Sequence, residues 1–256
     1  MSDTGYTSTE LLAYVAAGML EDKRSVLVGT GLPIIAAMLA RRTHAPQLLI
    51  IFEAGGVGAQ VPVLPISVGG SRTFHRAVAA TSMHDVMSFL QNGYVDYGFL
   101  GGAAIDPYGN INTTVFGEWK RPKVRLPGSG GANDAGSLCW RTIILMRQDR
   151  NRFLENLPFL TTPGYLTGPG AREAAGLPPG TGPYRVITQL GVYGFDEQTR
   201  RLALRSVHPG VTLDDVQANS SFEILIPEEV QTTEPPSPEV RRLLREIDPA
   251  GLVITK

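Results

Sequence analysis

This sequence predicts an α/β fold built on an open, largely parallel sheet with flanking helices. Three observations lead there. Short, continuously apolar runs such as Leu48–Phe52 have the length and composition of strands buried on both faces. Segments with helical apolar spacing alternate with those runs. Glycine-rich turns follow the strand ends, in a chain holding 29 Gly and 19 Pro.

The elements follow in order. Ser8 or Thr9 caps a first helix, where Leu11, Val15 and Met19 repeat at four-residue spacing, as do Leu12, Ala16 and Leu20. Residues 25–28 form a short strand ending in Gly29-Thr30-Gly31, and a helix from about Pro33 to Arg42 places its proline in the first turn. The strand at 48–52 comes next, then a turn-rich segment to Arg72. Ser82 caps a helix through Gln91 that stops at Asn92-Gly93. A strand at 95–100 ends in Gly101-Gly102, and another spans 141–146. Residues 163–183 hold eleven Gly or Pro in twenty-one positions and read as a long irregular loop, functional or docked on a partner. Strands resume at 185–188 and 202–204. Thr212 with Asp215 opens a short helix in capping-box fashion, and Ser237-Pro238-Glu239 opens a last one through Ile247. No internal repeat or low-complexity tail breaks the pattern, so residues 1–256 read as one domain.

Composition excludes several classes. A hydrophobic content of 43% argues against disorder, and a formal net charge of -1 gives no reason to expect nucleic acid or an anionic membrane as partner. No apolar run approaches a membrane span, and the first residues lack a basic region followed by a hydrophobic stretch. With Cys139 the sole cysteine, no internal disulfide can form, and a cytoplasmic location is expected. Cys139 lies in an apolar run and reads as a buried, inert thiol.

Chemistry concentrates in glycine-rich turns. Glu53 sits where the 48–52 strand gives way to Ala54-Gly55-Gly56-Val57-Gly58. Ligands of open α/β sheets bind beyond the carboxyl ends of the strands, and glycines let a substrate approach the backbone. From this segment alone Glu53 is either a substrate-facing carboxylate or a solvated strand-end residue. Gly101-Gly102 and the turn from Pro127 to Asn133 add backbone N–H groups suited to an anion or oxyanion. Standard motifs fail: Gly128-Ser129-Gly130 and Gly29-Thr30-Gly31 lack the third glycine of a dinucleotide fingerprint, no Gly-Lys-Ser/Thr is present, and Pro127 spoils a serine-hydrolase elbow at Ser129. His44, His75, His84 and His208 show no metal-ligand spacing, so no metal site is expected. His208 reads as stabilising the turn at Pro209-Gly210, and Glu118 and Trp119 as rim residues.

Four blocks then carry a resemblance. Glu53 to Gly58 resembles the Glu-x-Gly-x-x-Gly turn of class I CoA-transferases. Gly101-Gly102-Ala103-Ala104-Ile105-Asp106-Pro107-Tyr108-Gly109-Asn110-Ile111-Asn112 resembles that family's Gly-x-x-x-Val-Asp-x-x-Gly-Asn-x-Asn segment. Gly128 to Asp134 is similar to its Gly-x-Gly-Gly-Ala-x-Asp loop, and His208 to Thr212 with Asp215-Val216 to its Pro-Gly-Val-Thr element. The blocks come in family order and cover roughly residues 48 to 222. Phe-Glu-Ala-Gly, where the 3-oxoacid branch has Ser-Glu-Asn-Gly, favours the β-subunit type of the glutaconate-like branch.

The resemblance implies a mechanism and a partner. Glu53 would be the nucleophile, forming a mixed anhydride and then an enzyme–CoA thioester in a ping-pong cycle. Gly130 and Gly131 would serve the oxyanion, and Gly55, Gly101 and Gly102 would line the CoA thioester, which is a substrate; no tightly bound cofactor is implied. Ser129 and Asn133 are read as ordinary turn residues. One chain supplies one half of a two-subunit assembly, so an α subunit is expected in an α2β2 or higher hetero-oligomer, with 163–183 at the interface or the acid-binding rim. Two other readings compete: a CoA-ester hydrolase, ring-opening hydrolase or decarboxylase on the same scaffold, and a non-catalytic ligand-binding subunit.

Overall fold

The computed structural model describes residues 5–255. In chain order the first elements are α1 (Ser8–Gly18), β1 (Ser25–Val28), α2 (Leu32–Arg42), β2 (Leu49–Phe52), β3 (Gly56–Val57), β4 (Ala79–Ala80), α3 (Met83–Gln91) and β5 (Tyr97–Leu100). Two small hairpins follow, β6 (Ala104–Ile105) with β7 (Ile111–Asn112) and β8 (Val115–Glu118) with β9 (Arg121–Arg125). Then come α4 (Ala132–Leu138), β10 (Arg141–Leu145), α5 (Ala171–Ala174), β11 (Pro183–Ile187), β12 (Gly191–Phe195), β13 (Leu202–Val207), α6 (Leu213–Ala218), β14 (Gln231–Thr232) and α7 (Pro238–Ile247). The residues group into two compact units, one running to Phe99 and resuming at Pro235, the other spanning Leu100–Glu234. Among the described residues no helix is long and apolar enough to cross a membrane.

In the first unit the strand order is β5-β1-β2-β3-β4. β1 lies parallel to both β2 and β5, and its Val28 stands opposite Phe52, the last residue of β2. β3 and β4 then add on antiparallel. All of Ser25–Val28 is buried, as a central strand covered on both faces requires. Seven consecutive residues of α2, Ile34 to Ala40, are buried, and α1 and α7 pack on that helix. The cap of α1 is Thr7, not Ser8 or Thr9. Only Thr7 has an acid three residues on, and Thr7 and Glu10 close a reciprocal capping box at 3.0 and 2.8 Å. The expected boxes at Ser82–Asp85 and Thr212–Asp215 are present, and Ser237 caps α7 with Pro238 in its first turn.

In the second unit the order is β14-β13-β12-β11-β10. β10 and β11 are parallel, β11, β12 and β13 form an antiparallel meander, and β14 closes parallel to β13. The fold is thus α/β as expected, with antiparallel strands added to the parallel ones. β12 carries no sequence signal because glycines interrupt its alternation; a Cβ on Gly191 would stand 2.4 Å from the Ser206 carbonyl oxygen. Cys139 is fully buried, as its apolar surroundings predict.

Candidate active site

Glu53 stands at the carboxyl end of β2. The Gly55 N–H donates to the Phe52 carbonyl at 2.9 Å, so residues 52–55 form a tight turn that leads straight into β3. Gly55 is required there. Its φ of 115° lies in the left-handed region, and a Cβ would stand 2.1 Å from the Thr81 carbonyl oxygen. Thr81 holds the turn from the other side: its N–H and its hydroxyl both donate to the Gly55 carbonyl at 2.9 Å. The next glycine, Gly56, presses on the carbonyl of buried Thr73 in the short 3-10 turn Ser71–Phe74. On this fixed turn the Glu53 side chain is partly buried, and among the described residues its carboxylate has no hydrogen-bond or ion-pair partner. A carboxylate held near the backbone yet left unpaired keeps all its lone pairs for an incoming group.

The second unit holds the other predicted glycines. Gly101 and Gly102 follow β5, and the N–H of Ala103 beside them donates to the Asn112 carbonyl at 3.1 Å. Asn112 is fully buried, and the residue after it, Thr113, grips the Pro127–Asn133 turn. The Thr113 carbonyl accepts from the Gly128 N–H at 2.9 Å, while its hydroxyl donates to the Gly128 carbonyl at 2.8 Å. Gly130 has φ 50°, a left-handed conformation that bends the chain into the first turn of α4. Among the described residues the N–H groups of Gly130 and Gly131 meet no acceptor. Two unpaired N–H groups on consecutive residues are what a developing oxyanion needs.

Ser129 behaves as a turn residue, its hydroxyl accepting from the Asn133 N–H at 3.0 Å. Asn133 does more: its side-chain amide donates to the Thr161 carbonyl at 2.9 Å. The Thr161 hydroxyl accepts from the Thr113 N–H at 2.9 Å and bonds the Thr114 hydroxyl at 2.7 Å. Thr73, Thr81, Thr113 and Thr161 are therefore supporting residues that sequence reasoning missed. Thr113 had a signal, lying directly after the Gly-Asn-x-Asn segment; Thr161 had none, because its partners are distant in sequence.

The irregular loop 163–183 is anchored within the second unit. Asn110 Oδ1 accepts from the N–H of Gly164 at 2.8 Å and of Leu166 at 3.1 Å. Asp106 accepts from the N–H groups of Tyr108 and Asn110 and from the Asn110 side-chain amide, at 2.7 to 3.0 Å. Desolvation of this buried carboxyl pushes its pKa up to about 6, against the pull of those hydrogen bonds. Arg172, 2% exposed, donates to the carbonyls of Pro163, Gly164, Gly136 and Ser137 and to the Thr181 hydroxyl, joining the loop to α4. His208 is buried. Its Nε2 lies 2.9 Å from the Thr188 carbonyl and its Nδ1 3.1 Å from the Thr233 hydroxyl, so it ties strand ends together. Among the described residues no cluster of His, Cys, Asp and Glu could hold a metal ion.

A family model described as "Coenzyme A transferase" matches residues 9–219. The B-type subunit of glutaconate CoA-transferase from Acidaminococcus fermentans is 38% identical over 98% of this chain and 96% of its own length. The crystal structure of glutaconate coenzyme A-transferase from that organism superposes with a TM-score of 0.93, covering 98% of each chain. The B-type subunit of 3-oxoadipate CoA-transferase from Pseudomonas knackmussii is 36% identical over 96% of this chain and 94% of its own length. A more distant relative, the cholesterol ring-cleaving hydrolase IpdB subunit of Rhodococcus jostii, is 28% identical over 97% of this chain and 95% of its own length.

Proposed function

The chain belongs to the coenzyme A transferase family, and from that premise we propose that it is the B-type subunit of a heteromeric enzyme moving CoA between an acyl-CoA and a carboxylic acid. Residues 1–256 form one α/β half, an α subunit supplies the other in an α2β2 or higher assembly, and the enzyme works in the cytoplasm. The observation that carries the proposal is the unpaired Glu53 carboxylate on the pinned turn at the end of β2.

The proposed reaction is a double displacement. The Glu53 carboxylate attacks the thioester carbonyl of an acyl-CoA; the C–S bond breaks and CoA leaves as thiolate. The mixed anhydride so formed is attacked by the thiolate at the glutamyl carbonyl, releasing the free acid as carboxylate and leaving CoA on Glu53 as a thioester. A second carboxylate repeats the two steps in reverse and departs as the new acyl-CoA. Covalent catalysis divides one hard exchange into easier ones, and no net proton moves. Each attack builds negative charge on a carbonyl oxygen, which the N–H groups of Gly130 and Gly131 are assigned to receive. Gly55, Gly101 and Gly102 keep side chains away from the thioester. The chemistry calls for no metal or redox cofactor.

The acid is proposed to be a dicarboxylate. Two relatives above 30% identity carry the names of dicarboxylic acids, glutaconate and 3-oxoadipate. The likeness to a ring-cleaving hydrolase supports a second reading, hydrolysis of a CoA-linked substrate on the same scaffold.

One experiment separates them. The chain, purified with its α subunit, is exposed to acyl-CoA without acceptor acid and analysed by mass spectrometry. A CoA adduct on the peptide bearing Glu53, absent in Glu53→Ala, is the expected result. Free CoA and acid with no adduct would favour hydrolysis; no reaction across varied acyl-CoAs would sink both.

A further inference from the structure

We propose that the exposed β8–β9 hairpin binds the phosphorylated adenosine end of the CoA thioester; this rests on the CoA reading above. The hairpin forms a two-stranded sheet of its own in the second unit. Its sequence, Glu118 to Arg125, packs Lys120, Arg121, Lys123 and Arg125 beside a single acid in a chain of net charge -1. All four cations are exposed. Among the described residues the side chains of Lys120, Arg121 and Lys123 have no ion-pair or hydrogen-bond partner. Three unneutralised cations on one short element set up a local positive field.

The hairpin is built rather than loose. Trp119 stacks on Phe159 with ring centroids 5.1 Å apart and planes 15° from parallel. The Arg125 guanidinium lies 4.6 Å from the Trp119 ring centre and also donates to the Trp119 carbonyl at 3.3 Å. The ladder holds one extra residue, Lys123, on β9 opposite Gly117, whose φ is 87°. Such bulges re-aim a side chain away from strict alternation. Trp119 remains 55% exposed and Val124 48%, so an aromatic and apolar surface lies among the cations. Cations interleaved with an exposed indole suit a ligand combining phosphates with a flat heterocycle.

Reach fits the same ligand. β9 runs without a break into the Gly128–Gly131 turn, because the Leu126 N–H donates to Thr114 and the Gly128 N–H to Thr113, both at 2.9 Å. Lys123 and Arg121 lie five and seven residues before Gly128. At strand rise that is roughly 16 to 23 Å, comparable with an extended pantetheine arm. A thioester seated at Gly130 and Gly131 would thus bring its phosphates to these cations. The α7 cations are instead paired, Arg245 with Glu10 of α1 and Arg242 with Glu246.

The test uses the chain with its α subunit and two substrates, an acyl-CoA and the matching acyl-pantetheine that lacks the nucleotide. Replacing Lys120, Arg121 and Lys123 together by Ala is expected to raise KM for acyl-CoA at least about ten-fold, with kcat nearly unchanged. The same variant should treat acyl-pantetheine as the parent enzyme does, and the salt dependence of KM for acyl-CoA should flatten. Restoring charge as Arg121→Lys in the otherwise unaltered chain should keep most of the affinity. An unchanged KM for acyl-CoA, or an equal rise for both substrates, overturns the proposal. The two readings fail separately: a parent enzyme without a Glu53 adduct refutes the transfer reaction, whereas a normal adduct and an unmoved KM in the triple variant refute the hairpin site alone.

Discussion

The Asn133 side-chain amide meets the Thr161 carbonyl at 2.9 Å, and the hydroxyl of the same threonine caps the Thr113 N–H at 2.9 Å. The turn carrying the two unpaired N–H groups is therefore held from two sides by residues outside it. Thr161→Val keeps the side-chain volume and deletes the hydroxyl, leaving the Thr113 N–H without its acceptor. A cost of about 1–3 kcal/mol in stability is expected. Because the loss loosens the turn proposed to receive the oxyanion, kcat should fall about ten-fold or more while KM changes little. Denaturant unfolding and steady-state kinetics read the two quantities. A lowered stability with unchanged kcat would show that the mooring serves the fold alone.

Gly55→Ala tests the Glu53 turn. The substitution meets two obstacles together, a φ of 115° and a Cβ only 2.1 Å from the Thr81 carbonyl oxygen. Neither group can retreat, since Thr81 is bonded to Gly55 through its own N–H. A loss of at least about 2 kcal/mol is expected. Thr81→Val keeps that backbone bond and removes the hydroxyl bond, at about 1 kcal/mol. Thermal unfolding of the two variants side by side checks the order.

How much of this was legible in the sequence follows from the range of the forces. Strands β1, β2, β5 and β10 are marked by runs of apolar residues, and α3, α6 and α7 by caps that act within three residues, so local pattern found them. Glu53, Gly55, Gly130 and Gly131 could be named as candidates because a carboxylate or a glycine pair at a strand end or turn is itself a local signal. β12 was not, since Gly191 and Gly194 stand where alternating side chains would have marked a strand. Thr161 and Arg172 were also missed. Their roles depend on partners such as Thr113 and Gly136, which lie 48 and 36 positions away.

Asp106 predicts a pH dependence. Its folded-state pKa is raised from 3.8 to about 6 by desolvation, with Glu155 adding a small repulsion. Between those values the folded chain holds a proton that the unfolded chain has released. Its contribution is therefore fully present below pH 3.8 and is lost as pH rises through about 6, amounting to about 3 kcal/mol at most. Asp106→Asn removes the titration. The stability difference, parent minus variant, should decline between pH 4 and 7 in denaturant titrations. A difference that stays flat or climbs over that range would mean the carboxyl ionises normally.

The Arg172 guanidinium is buried with no carboxylate in hydrogen-bond contact, Glu173 acting on it only through the field. Four backbone carbonyls and the Thr181 hydroxyl solvate its two terminal nitrogens, while Nε has no partner. Burial lowers its pKa, yet a guanidinium starts so high that it stays charged. The two terminal nitrogens face different segments, Nη1 the carbonyls at 163–164 and Nη2 those of Gly136 and Ser137 on α4. A lysine offers one nitrogen and cannot span both. Arg172→Lys is therefore expected to be destabilised almost as much as Arg172→Met, by about 3 kcal/mol in each case. Limited proteolysis should find new cleavage within 163–183 in both variants, ahead of global unfolding. If Lys substitutes freely and the loop stays resistant, the charge alone, and not the planar fork, holds the loop to α4.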